Sequence, residues 1–361
     1  MNSAKKYKKL SILLGSFLFI SFSFSYATPF AYVTNQGDHT VSVVNLEQQS
    51  VIATIPVGKA PVGVAIDSLS NRAYITNVES RTVSVLDIAQ NKVIHEIVLD
   101  KVAPVGVVLN KSGGQLFVAD WYHDQILVIE TDTYKTISTI SMGKAPAGMV
   151  LSREGASLYV ANRDSNEVGV IDARNHKPLH KIAVGKHPFG MVLSGDGKLL
   201  YVVNVESNSI SVIDVRRDVV IATIPVGEHP YCVTTNADGS TVYVTNTHED
   251  TVSVIDAKAQ KVTATIPVGG TPEGIAYDNK HQRVYVASWM DNSLYVIDAK
   301  SNKVIDIVKT GAQSRAFGQF IGSPIQKEQK FIFYFNWRTS YEIYYQVVSC
   351  SLFFTNHCDF G

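Results

Sequence analysis

The chain has 361 residues, of which 45% are hydrophobic and 18% charged, with Lys+Arg and Asp+Glu equal at 32 each. This length exceeds that of a usual single-core domain, so it predicts two domains, one large closed domain or a repeat array. The apolar content excludes a disordered chain, and the balanced charge argues against a basic protein that binds polyanions. Three cysteines are too few for a disulfide scaffold or a cysteine-rich zinc module.

The first predicted element is a secretory signal peptide over residues 1–27. Lysines at positions 5, 6, 8 and 9 precede an apolar run from Leu10 to about Phe24, and Ser25 and Ala27 suit a cleavage site. The run is shorter than the roughly 20 residues of a spanning helix, although an uncleaved membrane anchor is the alternative. Cleavage leaves 28 basic and 32 acidic residues, a net charge of −4 that disfavours nucleic-acid binding. We expect an exported protein, in the periplasm or at the cell surface, with no transmembrane anchor.

A four-residue motif recurs seven times along the rest of the chain. The first copy reads Tyr-Val-Thr-Asn, and the spacings between copies are 42, 43, 42, 42, 42 and 42 residues. So regular a period is the sequence signature of a repeat architecture. The seven copies begin at Tyr32, Tyr74, Phe117, Tyr159, Tyr201, Tyr243 and Tyr285.

Each repeat predicts four short β-strands. The motif is followed by segments such as TVSVID, VIATIPVG and APVGVAID, which are rich in Val, Ile and Thr and are separated by turn sequences such as Gly195-Asp196-Gly197. The strands are apolar on both faces, which fits blades that pack face to face in a ring. The sequence therefore predicts an all-β fold, a seven-bladed β-propeller of four-stranded antiparallel blades over residues 28–321.

The phase of the repeat predicts how the ring closes. The first blade begins at its second strand, with Tyr32, so its innermost strand is missing at the N-terminal end. Residues 311–320 align with residues 58–67 and are predicted to supply that strand. Blade 1 then combines one C-terminal strand with three N-terminal strands. This closure joins both ends of the ring without a disulfide.

The YVTN motifs, the TVSVID strands and the IPVG-x-x-P junctions together resemble the YVTN-family β-propeller repeat proteins. The resemblance covers about residues 30–321, and blades 3 and 7 depart from it at Asp120 and Ser288. It implies an exported or cell-surface propeller used for binding. The family is described by its repeat and not by a shared reaction, so the resemblance specifies no chemistry.

The repeat stops after Ile321, and residues 322–361 form a predicted C-terminal tail with eleven aromatic residues. This tail is either an added hairpin or docking segment, or a poorly ordered appendage that the propeller does not need, which we favour. Cys350 and Cys358 are close enough in sequence to pair after export. Cys232 stands where five other blades have glycine, and we expect it to be a buried, unreactive thiol.

One end of the propeller is predicted to carry the function. In a four-stranded meander, the entry to the first strand and the loop between the second and third strands lie at the same end, which we call the mouth. The Asn that ends each YVTN motif is predicted to cap its own turn through side-chain to backbone hydrogen bonds. The informative positions are those at which the blades differ, because folding makes the same demand on every blade.

The residue after the junction proline differs around the ring. It is small and apolar in blades 2 to 4, aromatic in blades 5 and 6, acidic in blade 7 and basic at the closure, and two histidines precede the prolines of blades 5 and 6. Tyr231 and Trp289 are predicted to anchor a ligand, because large aromatic side chains dominate binding hot spots. The predicted ligand-binding residues are His187, Phe189, His229, Tyr231, His248, Glu273, Trp289 and Arg315.

Two pairs among these residues have structural interpretations as well. His187 and His229 either bind a metal or transfer protons, or they are turn residues with local hydrogen bonds. Two histidines fall short of the three or four ligands that a metal site needs, so we predict no metal. Glu273 and Arg315 either contact a ligand or pair with each other across the closure between blades 7 and 1.

The sequence carries no phosphate-binding loop, nucleophile elbow, HExxH motif or haem-attachment motif. We therefore predict no catalytic residue and no cofactor, and a monomeric binding or scaffold module that recognises a protein, peptide or glycan at the mouth. Two alternatives remain open. One is a propeller enzyme of the lactonase, lyase or quinoprotein kind that uses the His187/His229 arc. The other is a structural protein of the cell envelope.

Overall fold

A computed structural model describes residues 28–324 of the protein. The predicted signal peptide at 1–27 and nearly all of the predicted tail at 322–361, with Cys350 and Cys358, lie outside the described residues. Within the described range, no helix is long and apolar enough to cross a membrane.

Seven four-stranded antiparallel blades form the ring, which confirms the predicted seven-bladed β-propeller. Each complete blade runs from an inner strand at the channel to an outer strand at the rim of the ring. Blade 1 contains β1 (Phe30–Asn35), β2 (Thr40–Asn45) and β3 (Ser50–Pro56); blade 2 contains β4 (Pro61–Asp67), β5 (Arg72–Asn77), β6 (Thr82–Asp87) and β7 (Lys92–Val98); blade 3 contains β8 (Pro104–Leu109), β9 (Gln115–Asp120), β10 (Gln125–Glu130) and β11 (Thr136–Ser141).

The remaining blades follow the same plan, and two short 3-10 turns, Arg163–Ser165 and Val205–Ser207, lie in the loops of blades 4 and 5. Blade 4 contains β12 (Pro146–Leu151), β13 (Ser157–Asn162), β14 (Glu167–Asp172) and β15 (Lys177–Ala183); blade 5 contains β16 (Pro188–Leu193), β17 (Leu199–Asn204), β18 (Ser209–Asp214) and β19 (Val219–Pro225); blade 6 contains β20 (Pro230–Thr235), β21 (Thr241–Asn246), β22 (Thr251–Asp256) and β23 (Lys261–Pro267); blade 7 contains β24 (Pro272–Asp278), β25 (Arg283–Ser288), β26 (Ser293–Asp298) and β27 (Lys303–Lys309); the C-terminal strands are β28 (Phe317–Gly318) and β29 (Ile321–Gly322).

The hydrophobic core lies between the blades. The aromatic residue that begins each YVTN motif is buried in all seven copies, from Tyr32 to Tyr285. Burying so large a ring contributes apolar area that a smaller side chain cannot replace. The outer strands are instead exposed or half-buried except for one buried residue each, and β3, for example, ends at the exposed Pro56. Proline at this position cannot donate to a further strand, which protects the rim from edge-to-edge pairing.

The C-terminal segment closes the ring in blade 1, as predicted, but with a different register. In blade 2, Pro61 pairs with Asn77 and Ile66 with Ala73. In blade 1, Ser314 bridges Asn35 and Ile321 pairs with Ala31, so the closing segment holds two more residues over the same span. The regular pairing therefore falls at residues 321–322 and not within 311–320.

The extra length of the closing segment projects towards blade 2. Phe317 and Gly318 pair in parallel with Gly63 and Val64 of β4, which makes blade 2 a five-stranded sheet. Gly318 has a φ of +105°, and a Cβ atom at this position would lie 2.6 Å from the Val64 carbonyl oxygen. Glycine is required here because any other residue would be strained at this φ and its Cβ would clash with the Val64 carbonyl oxygen.

The Asn at the end of the YVTN motif does not cap its own turn as predicted. Asn35 is fully buried, and its Nδ2 donates to the hydroxyls of Thr40 and Ser42 on the next strand. Its Oδ1 accepts a hydrogen bond from the Gly311 backbone N–H, at the junction from the preceding blade. In blade 1, the Asn35 amide therefore joins two strands of the blade to the chain that enters from blade 7, as buried amides usually find hydrogen-bond partners.

Candidate functional site

The mouth is built by contacts between the junctions and the loops that join second and third strands. In blade 2, the Val78 N–H donates to the Ala60 carbonyl, and in blade 5 the Val205 N–H donates to that of His187. His187 and His229 both have a φ of +52°. Their N–H groups donate to the side chains of Asn166 and Asn208, each at 2.9 Å. The two histidines are thus held in turns with local hydrogen bonds, which was one of the two interpretations.

Arg315, Glu273 and Tyr231 form a polar cluster at the centre of the mouth, which we call the central cluster. The guanidinium of Arg315 donates two hydrogen bonds to Glu273, with Nη2 3.0 Å from Oε1 and Nε bonded to Oε2. The same Nη2 lies 2.9 Å from the Tyr231 hydroxyl. Glu273 and Arg315 therefore pair across the closure, the structural alternative for these two residues.

Gln36 joins the central cluster to Trp289. Its Oε1 accepts from Nη1 of Arg315 at 3.3 Å and from the indole Nε1 of Trp289 at 3.3 Å. The sequence interpretation took Trp289 and His248 from the loops after the YVTN motif but missed Gln36, which occupies the position of Trp289 in blade 1. The position directly after each YVTN motif also differs between blades, with Trp121, Arg163 and Trp289 among its occupants, and this signal points to Gln36.

Burial and pairing act in opposite directions on the pKa values of Glu273 and Arg315 in the central cluster. Burial raises the pKa of Glu273, while the adjacent Arg315 charge acts in the opposite direction. Burial lowers the pKa of Arg315, but the neighbouring Tyr231 and Glu273 more than offset this and raise it above its ordinary value. Burial also raises the pKa of Tyr231, so its hydroxyl keeps its proton. A bidentate pair of this kind carries a fixed geometry as well as charge.

An aromatic layer lies beside the central cluster. The ring of Phe189 lies 4.3 Å from Tyr231 and 4.8 Å from Phe317, measured between ring centroids. Trp121 meets Phe189 edge to face at 6.1 Å, and the Arg163 guanidinium lies 5.5 Å from the centroid of Trp121. These residues extend the predicted arc towards blades 3 and 4, and Phe317 enters the layer only because the closing segment bulges inward.

Three histidines form a separate cluster further out, in blades 5 and 6. The rings of His229 and His248 stack at 4.0 Å with an interplanar angle of 11°. Oε1 of Glu206 lies 3.8 Å from Nδ1 of His187 and 3.8 Å from Nε2 of His229. Burial, followed by the proximity of His248, lowers the pKa of His229. The structure thus divides the eight predicted residues between this histidine cluster and the central group of Phe189, Tyr231, Glu273, Trp289 and Arg315.

Large apolar side chains stand exposed on the loops of the mouth. Tyr122, next to Trp121, is 75% exposed, and Met290, next to Trp289, is 66% exposed. Each thus adjoins a half-buried tryptophan of the mouth. In residues 28–324, no group of three His, Cys, Asp or Glu side chains is placed to hold a metal ion.

A cavity of about 810 Å³ occupies the other end of the central channel. It is lined by the inner strands and by loops between first and second strands, such as residues 67–69 and 110–111. None of the eight predicted site residues lines it. Cys232, which does, is buried, and burial raises the pKa of its thiol, so the group is an uncharged wall residue.

Comparison with known proteins agrees with this architecture. The family of YNCE-like β-propellers matches residues 191–283, which cover most of blade 5, blade 6 and the inner strand of blade 7. The chain is a β-propeller repeat protein. The match and the seven observed blades agree with the β-propeller repeat architecture that the YVTN repeats predict. No curated protein matches the sequence.

Solved structures resemble this β-propeller repeat protein over most of its length. A protein from Lactobacillus plantarum has a TM-score of 0.71 at 14% identity, covering 81% of this chain and 98% of that one. A functionally unknown protein from Desulfotomaculum acetoxidans has a TM-score of 0.68 at 17% identity, covering 80% and 99%. Hydrazine synthase from Kuenenia stuttgartiensis has a TM-score of 0.65 at 19% identity, covering 78% and 99%. At these identities the likeness establishes the fold and no activity.

Proposed function

We propose that the protein is a binding module that recognises a peptide or protein loop at the mouth of the propeller. The observation that carries this proposal is the arrangement of Tyr122 and Met290, both largely exposed, beside the half-buried Trp121 and Trp289. Exposed aromatic side chains and methionine are enriched at protein interfaces and depleted elsewhere on protein surfaces. Methionine adapts its shape to apolar peptide side chains, which favours a peptide over a glycan.

The polar groups of the mouth support binding more than catalysis. Glu273 and Arg315 neutralise each other, and the Tyr231 hydroxyl bonds Arg315, so these groups already have partners. A general base needs a free lone pair within reach of the proton it removes. The central cluster therefore serves as a rigid support beneath the exposed aromatic residues.

We propose that the protein acts outside the cytoplasm, in the periplasm or at the cell surface. The support is the lysine-rich, apolar segment of residues 1–27 and its small residues before position 28. Fractionation of cells that express the full chain tests this proposal, since a mature N-terminus at position 28 in the periplasm or medium is expected. Retention of the whole chain in the cytoplasm would contradict it.

The binding proposal is tested by selecting phage-displayed random peptides on the purified protein and measuring the Kd of the selected peptides. Replacing Trp289 or Tyr122 by Ala is expected to weaken binding by about 2 kcal/mol each, roughly 30-fold, as for an aromatic hot spot. Leu69→Ala is the matched control, because Leu69 is 80% exposed at the opposite end of the propeller. A glycan array under the same conditions tests the glycan alternative.

The control decides the location of the binding site. If Leu69→Ala weakens peptide binding while Trp289→Ala and Tyr122→Ala bind like the parent, the mouth is not the site. If no peptide is selected and the protein instead self-associates, the structural-protein alternative is favoured.

A further inference from the structure

The channel cavity opposite the mouth has walls of a chemistry different from that of the mouth. Gly106, Gly148 and Gly190 line it, and each packs against a backbone carbonyl of the adjacent blade, so the inner strands approach one another closely at this level. The inner strands of blades 3 to 7 pair with a neighbour on one side only. Some groups on their other edges already have partners, such as the Val105 carbonyl, which accepts from the Thr76 hydroxyl, and the Glu273 carbonyl, which accepts from the Thr245 hydroxyl. Away from such contacts, these edges offer backbone N–H and C=O groups to the channel, which is the usual property of an edge strand.

The floor of the cavity is apolar and polarisable. Phe317 lines the cavity and also contacts Phe189 of the aromatic layer, so it separates the cavity from the mouth. Met149 and Met191 line the cavity from neighbouring blades, are half-buried, and pack partly against the cores between the blades. Methionine thioethers are polarisable and make favourable contacts with aromatic rings.

The closing segment shows that the inner edges accept a hydrogen-bonding partner. Phe317 and Gly318 pair with β4, so the chain itself occupies the inner edge of blade 2. The corresponding edges of blades 3 to 7 have no such strand within the described residues. A ligand that fills the channel without polar groups at its circumference would leave these donors and acceptors without partners, at a cost of about 1–3 kcal/mol each if it also excludes water.

We propose that this cavity binds a planar, aromatic small molecule that carries hydrogen-bonding groups around its edge. Lying across the channel, such a molecule presents one apolar face to Phe317 and the two methionines and its polar circumference to the ring of backbone edges. Asp67 and Lys111 line the cavity at its open end. There they would contact charged or polar substituents of such a molecule. The volume of about 810 Å³ lies in the range of small-molecule sites. This site is independent of the binding proposed at the mouth.

The test is calorimetric titration of the purified protein with riboflavin and protoporphyrin IX, two planar probes with polar edges, and with decanoate as an aliphatic probe. We expect at least one planar probe to bind about tenfold more tightly than decanoate. Met191→Trp and Met149→Trp narrow the cavity from its floor, and each is expected to weaken the planar probe about tenfold. Met290→Trp is the matched control, the same substitution at the mouth, and should leave the affinity unchanged.

Amide hydrogen exchange of the unmodified protein locates the probe without any variant. Binding in the channel should protect the inner strands β12 and β16, whose edges line the cavity. The inference is wrong if neither planar probe binds, if decanoate binds as tightly, if the narrowed variants fold and bind like the parent, or if protection appears only at the mouth. Trp289→Ala distinguishes this result from the binding proposal, since it should affect peptides and not the planar probe.

Discussion

At the scale of single residues, the Arg315–Glu273 pair illustrates how a buried charge depends on its partner. The side chains are 19% and 10% exposed, so neither charge has full access to water. Replacing one member leaves the other side chain charged and shielded from water, whereas in the intact pair each charge is compensated by the other. The pair also connects the last inner strand of the ring, β24, to the closing segment.

We expect Arg315→Ala to lower the free energy of unfolding by about 3–5 kcal/mol, because Glu273 is left buried without its cation. Chemical denaturation measures this change. Arg163→Ala is the control, since it removes a guanidinium near Trp121 and should cost only about 1 kcal/mol. An Arg315→Ala protein that unfolds within about 1 kcal/mol of the parent would show that the pair contributes little beyond the rest of the closure.

The histidine cluster predicts a pH dependence of stability. The pKa of His229 is lowered in the folded protein from its ordinary value of 6.5. As the pH falls through 6.5, the unfolded chain therefore takes up a proton before the folded chain does, and stability is lost. This loss continues until the pH reaches the lower folded pKa, and above 6.5 the group has no effect.

Thermal unfolding between about pH 7.5 and pH 5 measures this effect. The parent should lose more stability on acidification than His229→Gln, which cannot take up a proton at this position. His95→Gln is the control for the loss of a histidine elsewhere, on outer strand β7. Identical pH profiles for the parent and His229→Gln would contradict the prediction.

At the scale of secondary-structure elements, the closing segment determines whether the ring is complete. Its strand β29 covers the inner edge of β1, and the Tyr32 N–H donates to the Phe320 carbonyl at 2.8 Å. The apolar residues Ala316 and Phe320 are fully buried in the core between blades. Without this segment, β1 is an open edge with unpaired backbone groups.

A chain that ends at Lys309 lacks the closing segment, and we expect it to aggregate or to unfold without cooperativity. The open edge and the exposed core between blades 7 and 2 are the physical reason. Size-exclusion chromatography and thermal unfolding monitored by circular dichroism provide the measurement. Unfolding at the temperature of the parent would refute the closure as a source of stability.

A chain that ends at Gly322 retains β28 and β29 and is the matched truncation. We expect its melting temperature to equal that of the full chain, because every blade keeps its four strands. It loses only peripheral contacts within the described residues, such as the bond from the Ser323 N–H to Ser68. A large decrease in its melting temperature would show that residues after 322 stabilise the propeller.

At the scale of the whole molecule, the propeller has two different ends. The mouth carries aromatic residues, the Arg315–Glu273 pair and the histidines, whereas the opposite end opens into a cavity lined by the inner strands, with Phe317, Met149 and Met191 at its floor. Phe317 lies between them, in contact with Phe189 on one side and lining the cavity on the other. The inward bulge of the closing segment thus partitions a channel that would otherwise run through the ring.

The sequence by itself determined the number of blades, the four strands in each blade, and the closure of the ring by N- and C-terminal strands within blade 1. These properties follow from the repeat period and from local strand and turn patterns, which recur in every copy of the repeat. It also identified Tyr231, Glu273 and Arg315 as unusual, because their positions differ between otherwise equivalent blades.

Only the tertiary structure decided which of these residues meet. Arg315 contacts Gln36, 279 positions away, and such a contact depends on how the ring closes, not on any local pattern. The two additional residues of the closing segment break the period, so the repeat cannot specify where Phe317 and Gly318 go. Their position beside β4, and the cavity on one side of them, result from close packing across the channel between residues that are distant in sequence.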